Sequence, residues 1–226
     1  MSRLGASWDK SKNLINEWLK DSDNLLKEGF YTHFANSELE TPLNEKQLHR
    51  FNQILNEHLK TQKILRHCAN SGAVKNIENS TFEMIRIGLS AYTNSITLTA
   101  PIKHIKTIEK GTTVGYGSEF TASETTTIAV IGMGYADGLP SQLSNNGHVV
   151  INNKKCPIIG KICMDMFMVK IPQDLTIKIT DTASIINSSI DNCMCIQKIA
   201  DKSNQNPREV MCHFSNRLNR QYIKKR

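Results

Sequence analysis

The stretch Ser95-Ile96-Thr97-Leu98-Thr99-Ala100-Pro101-Ile102 marks where the pattern of the chain changes. Ile96, Leu98, Ala100 and Ile102 fall on every second position, the period of a strand with one buried face and one wet face. Downstream, residues 127–131, Val149-Val150-Ile151, 157–162 and 167–171 continue in the same style. Lys110-Gly111, Asn145-Asn146-Gly147 and Asn152-Asn153 separate them, and these are turn formers. The pattern predicts a β segment built from hairpins, with a short helix near 196–201 and a closing strand near 210–214.

Upstream the period is different. Leu14, Ile15, Trp18 and Leu19 recur at helical spacing until Asp21-Ser22-Asp23 interrupts them. Phe30-Tyr31-Thr32-His33-Phe34 reads as a strand. Thr41-Pro42 opens a helix, with threonine placed to cap it and proline at its first position. Leu48, Phe51, Ile54, Leu55 and Leu59 line one face of that helix. Ile64-Leu65-Arg66-His67-Cys68 predicts a second strand, ended by Asn70-Ser71-Gly72, and residues 82–89 a third. Strands alternating with helices imply a parallel α/β unit. The fold class expected is therefore α/β plus β, divided near residues 95–103 into a domain of residues 1–98 and another of 99–226. A barrel of eight βα units needs about 250 residues, so the first domain holds only about three or four such units and leaves sheet edges open.

Composition excludes several classes. The 226 residues are 39% hydrophobic and 22% charged, as in ordinary globular chains. No apolar run approaches the roughly 18 residues of a transmembrane helix, and the N-terminus lacks the apolar core of a secretory signal. A cytoplasmic protein with no membrane partner is expected. The six cysteines form no CxxC pair, and Cys193-Met194-Cys195 is a poor zinc clip, so reduced structural thiols and no metal are expected. The net charge of +7 comes from scattered residues, and the densest cluster, Lys224-Lys225-Arg226, is a chain end. No nucleic-acid-binding motif accompanies it, so no nucleic-acid partner is expected.

Chemistry-bearing segments recur along the chain in a recognisable order. They are Met1-Ser2-Arg3-Leu4-Gly5, Tyr31-Thr32-His33-Phe34-Ala35, His67-Cys68-Ala69-Asn70-Ser71, and Arg86-Ile87-Gly88-Leu89 with Tyr92. Val114-Gly115-Tyr116-Gly117, Gly134-Tyr135-Ala136-Asp137-Gly138 and Gly160-Lys161-Ile162-Cys163-Met164-Asp165 follow. Taken together they resemble the C-terminal two-thirds or so of alanine racemase. The resemblance implies the C-terminal part of a (β/α)8 TIM-like barrel followed by a mostly antiparallel β domain. It also implies pyridoxal 5'-phosphate as cofactor, alanine as substrate, a homodimer, and supply of D-alanine for peptidoglycan precursors.

Racemisation needs a base on each face of the substrate Cα. By resemblance one is the cofactor lysine and the other is Tyr135. A phenol, with an ordinary pKa of about 10, needs a polar or cationic neighbourhood to act as a base; His33 and Arg86 are implied to supply it. Arg86 also matches the arginine that faces the pyridine nitrogen. A guanidinium can only donate there, which weakens the electron sink and discourages side reactions. Asn70 and Ser71, with the backbone of Gly88 and Leu89, match the phosphate cradle. Arg3 matches an arginine near the cofactor phenolate and the substrate carboxylate, where a planar fork is useful. Met164 and Asp165 match a loop that contacts substrate in the partner subunit. His67 matches a family position beside the cofactor site, although a lone strand histidine is more often a satisfied core residue.

Read without the resemblance, each feature has a plainer meaning. Tyr135 lies in what could be an ordinary Gly-rich turn, Asn70-Ser71-Gly72 reads as a loop, and Arg86 suits a surface. Nor does the sequence decide between alanine and another amino acid such as serine. The family's Lys-Ala-Asn-Ala-Tyr-Gly-His-Gly type segment, which carries the cofactor lysine, does not occur. Lys75 is a superficial look-alike in the wrong part of the barrel. Asn216 and Asn219 stand where some relatives have tyrosine and proline. Met1 coincides with an internal methionine of the family. The expectation is a fragment, inactive unless complemented, or else a non-catalytic remnant or dimerisation fragment.

Overall fold

Two parallel three-residue strands, β1 (Gly29–Tyr31) and β2 (Leu65–His67), form the centre of the first unit. Parallel neighbours cannot be joined by a tight turn. The connection here is the helix α2 (Pro42–His58), which completes a βαβ unit. This computed structural model describes residues 1–20, 26, 28–93 and 95–223. The Asp21-Ser22-Asp23 break and the Lys224-Lys225-Arg226 tail lie outside the described residues. The chain divides into two compact units, Met1–Ser90 and Ala91–Arg226.

In the first unit α2 buries Phe51, Ile54 and Leu55, three members of the expected stripe. Phe30 stacks on Phe51 at 5.5 Å, and Phe82 meets Phe51 edge-on at 5.3 Å. Helix α1 (Trp8–Lys20) adds Ile15 to this core. Thr41 occupies the cap position of α2, but its hydroxyl caps nothing and is buried without a partner among the described residues. After β2, the short helix α3 (Ser71–Asn76) is capped by the Asn70 side chain, which accepts from the Ala73 N–H at 2.9 Å. The strand expected over 82–89 does not form. Arg86 bridges only Asn70, and the chain then turns into the short helix α4 (Leu89–Tyr92).

The second unit contains a closed barrel. Its strands are β3 (Leu98–Ile108), β6 (Thr126–Ile131), β7 (His148–Ile151), β8 (Lys154–Ile159), β9 (Phe167–Lys170) and β10 (Thr182–Ile186). They close in the order β10-β3-β6-β9-β8-β7, and every neighbouring pair is antiparallel. A two-stranded ribbon of β4 (Thr113–Val114) and β5 (Phe120–Thr121) interrupts the run. Strand β3 serves two neighbours: its start pairs with β10, and its later part pairs with β6 beyond an irregularity between Ile102 and His104. Such an irregularity bends a strand and helps a sheet close. Asn152 and Asn153 both take positive φ and turn β7 into β8, as a two-residue hairpin loop requires. Leu98, Ala100, Ile102, Ile131, Phe167 and Val169 point inward to one core.

The closing strand expected near 210–214 is a helix. Helix α6 (Pro207–His213) follows α5 (Ile196–Ser203). Its start is locally specified: the Asn206 side chain accepts from the Arg208 N–H, Glu209 reaches back to the Asn206 N–H, and Pro207 takes the first position. These caps override the strand preference of Val210 and Phe214.

Candidate active site

In the first unit, the ends of β1 and β2 present Thr32, His33 and His67 towards one arginine. Backbone pairing fixes Arg86 there, since its N–H donates to the Ala69 carbonyl at 2.9 Å. Its guanidinium donates to Nδ1 of His67, to Nδ1 of His33 at 3.0 Å, and to the Thr32 and Cys68 carbonyls at 2.9 and 3.3 Å. A guanidinium has no acceptor, so both Nδ1 atoms must be unprotonated, which puts the ring proton of each neutral histidine on Nε2. Burial, and then the nearby Arg86 charge, hold His67 below the ordinary histidine range, in keeping with a neutral ring. Tyr31 stacks flat on His67 at 5.1 Å, and the Arg86 guanidinium lies 5.3 Å from the Tyr31 ring centre.

Beside this cluster, Ser71 begins α3. Its hydroxyl oxygen accepts from the N–H groups of Gly88 at 2.9 Å and Ser90 at 3.4 Å. The Ser71 proton is left to donate outward. Leu89 opens α4, where the first N–H groups are not consumed by the helix. The Ser71 hydroxyl proton and the Arg86 guanidinium make a donor set that fits an acceptor-rich ligand with an anionic end. That chemistry suits the ring nitrogen and phosphate of pyridoxal phosphate. No lysine joins the cluster among the described residues, so the covalent attachment has no counterpart in it. Asn70 is adjacent, with its side-chain oxygen engaged as the α3 cap. Arg3 lies in exposed irregular chain and makes no hydrogen bond or ion pair among the described residues.

In the second unit, Tyr135 opens a tight turn, Tyr135–Asp137, just after Gly134. The Tyr135 and Ala136 N–H groups donate to the Cys163 and Met164 carbonyls, each at 3.0 Å. Gly134 is required by this approach: a Cβ there would sit 2.2 Å from the Cys163 oxygen. The Gly134 N–H donates to Asp137 Oδ2 at 2.9 Å, which closes the turn. Tyr135, Met164 and Asp165 are brought together as neighbours, and the Tyr135 ring is half exposed. Arg217 reaches the same place, with Nη2 2.5 Å from Asp165 and Nε 3.4 Å from Asp137.

Tyr31, Asp137 and Arg217 are not among the site residues expected from the sequence. Tyr31 could have been found, since it shares the strand segment of His33 and alternates with it. Arg217 could not, because nothing local in the sequence links it to Asp165.

Residues 1–95 match the family model described as alanine racemase, N-terminal domain, and residues 95–222 match that described as alanine racemase, C-terminal domain. The chain belongs to the alanine racemase family. The alanine racemase of Carboxydothermus hydrogenoformans is 32% identical over 242 residues, covering 99% of this chain and 65% of its own length. That of Fusobacterium nucleatum subsp. nucleatum is 35% identical over 208 residues, covering 84% and 57%. A crystal structure of alanine racemase from Bartonella henselae with covalently bound pyridoxal phosphate superposes with a TM-score of 0.84 at 28% identity, covering 99% of this chain and 64% of that one. The chain thus spans under two-thirds of these relatives. Its fold is part of an alanine racemase (β/α)8 barrel followed by the family's β domain.

Proposed function

We propose that the chain carries the phosphate-side half of an alanine racemase site together with one of its two proton-transferring groups. The whole enzyme would be a cytoplasmic isomerase that interconverts L- and D-alanine for peptidoglycan precursors. The observation that carries this is the Arg86 cluster, in which one guanidinium is held by two histidines and two carbonyls beside the Ser71 hydroxyl.

Pyridoxal phosphate, when bound, would supply the electron sink that lets the substrate Cα give up its proton. Ser71 would hold the phosphate through its hydroxyl proton together with the Leu89 N–H, while the Gly88 N–H orients the Ser71 oxygen. Arg86 donates to the ring nitrogen, and His33 and His67 orient the guanidinium. Asn70 keeps Ser71 in place by capping α3, and Arg3 serves the substrate carboxylate. Tyr135 takes or returns the proton at one face of Cα. It works in the site of a partner subunit, with Met164 and Asp165 beside the substrate, so the active form is a homodimer. The residue at the other face is a lysine from the segment this sequence lacks, and the chain alone is therefore inactive.

Absorbance of purified chain with pyridoxal phosphate, before and after borohydride, tests the first part. The expected result is no reducible near-visible band for the chain alone. Mixing the chain with a lysine-bearing N-terminal segment of a relative should restore D/L-alanine exchange, and Tyr135→Phe should abolish it. A stable complex that never racemises alanine would overturn this reading.

A further inference from the structure

The segment after α6 has no regular structure, yet it is pinned to the Tyr135 turn. The Ser215 N–H donates to the Asp137 carbonyl at 3.1 Å. Gly138, at φ +103°, lies so close to this segment that a Cβ would meet the His213 oxygen at 2.2 Å. From this strap Arg217 extends one guanidinium to two carboxylates on different pieces of chain. Asp137 closes the Tyr135 turn and is nearly buried, with its other oxygen already accepting from Gly134. Asp165 is half exposed on the loop that carries Met164.

We infer that Arg217 is a positioning residue, a clamp that fixes the Tyr135 turn against the Met164-Asp165 loop. This rests on reading Tyr135 as a proton-transferring group. The Tyr135 hydroxyl has no hydrogen-bond partner among the described residues, so its location is set from the backbone. Two of those backbone ties, from Tyr135 and Ala136, end on the loop itself. If the loop moves, the phenol moves with it. Arg217 bridges the far end of the turn to the next residue of the loop and turns a two-point attachment into a three-point one. The planar fork lets one side chain address both carboxylates, and a lysine can supply the charge but not the fork. Because Arg217 and Asp165 are both half exposed, their pairing contributes little to global stability and is screened by salt. A clamp of this kind should show in local order and hardly at all in the melting temperature.

The test uses the full chain labelled with 3-fluorotyrosine, whose Tyr135 line is assigned with Tyr135→Phe. Amide exchange at Tyr135 and Ala136 is followed alongside that line. In Arg217→Met the two amides should exchange about tenfold faster and the Tyr135 line should shift or sharpen. The amides of β6 and the melting temperature should stay as they are. Arg217→Lys should restore part of the effect, and 1 M NaCl should speed exchange in the parent chain but not in Arg217→Met. Unchanged exchange in Arg217→Met, or equal acceleration in β6, would overturn the clamp. None of these readouts needs catalysis. A chain that fails to racemise when complemented counts against the racemase reading alone.

Discussion

The unit Met1–Ser90 holds a parallel pair of three-residue strands, whereas Ala91–Arg226 bends six strands into a ring in which every strand has two neighbours. The ring consumes its own edges and turns Ile102, Ile131, Phe167 and Val169 into one buried core. The pair does not. Tyr31, Leu65, Ile85 and Ile87 remain between 43% and 56% exposed at or beside its strands. Unpaired strand edges and exposed apolar side chains are binding capacity that the local fold does not use. The difference teaches that a domain boundary in sequence can separate a self-sufficient fold from one whose sheet is unfinished.

Both tryptophans, Trp8 and Trp18, lie in the first unit, so their emission reports that unit alone. Phe167 is fully buried in the ring, and Phe167→Ala should cost about 3–5 kcal/mol there. The far-UV transition of the sheet should move to lower urea while the tryptophan transition stays put. Coincident transitions in parent and variant would break the comparison. Next in size, Gly134→Ala forces a Cβ onto two backbone oxygens and should cost about 3 kcal/mol or more, whereas Gly88→Ala meets nothing within 4 Å and should be close to neutral. Equal urea midpoints for these two variants would contradict the packing described.

A smaller effect is expected at α6. Asn206→Ala removes the cap and should cost about 1 kcal/mol, read as a drop in the urea midpoint of the second unit. The smallest concerns pH. The Arg66 side chain holds the Glu83 carboxyl down at about 2, below its ordinary range near 4.5. A depressed carboxyl stabilises the fold above its unfolded pKa and loses that contribution as pH falls from about 5 towards 2. Both partners are over a third exposed, so the effect should stay under about 1 kcal/mol. Glu83→Gln should flatten the acid limb of the tryptophan-detected stability curve, and an unchanged slope would remove the ion pair from the account.

The β domain was the more legible part, for a physical reason. Alternation at 98–102 and turn chemistry at Asn152-Asn153 are local signals, and local signals survive in one sequence. Strand β10 is absent from the expectation, although Ala183, Ile185 and Ile186 are buried. At α6 the strand preference of Val210 and Phe214 points one way and the Asn206-Pro207-Arg208-Glu209 start signal the other, and the start signal prevails. Residues 82–89 have the composition of a strand, but a strand needs neighbours, and among the described residues Arg86 bridges only Asn70. In the site, the resemblance named Arg86, His33 and Ser71, but not that two imidazoles would accept from one guanidinium. Arg217 escaped because Asp137 and Asp165 reach it only through folding.

Closure of the ring has a consequence in time. The β10–β3 seam joins Ile186 to Leu98, and the last join, to β7, runs through Ser184. On the ribosome, the start of β3 must therefore wait for its β10 neighbour until nearly the whole barrel has been synthesised. The β1–α2–β2 piece, by contrast, has all its own contacts in hand long before. The most finished part of the molecule is the last to be finished.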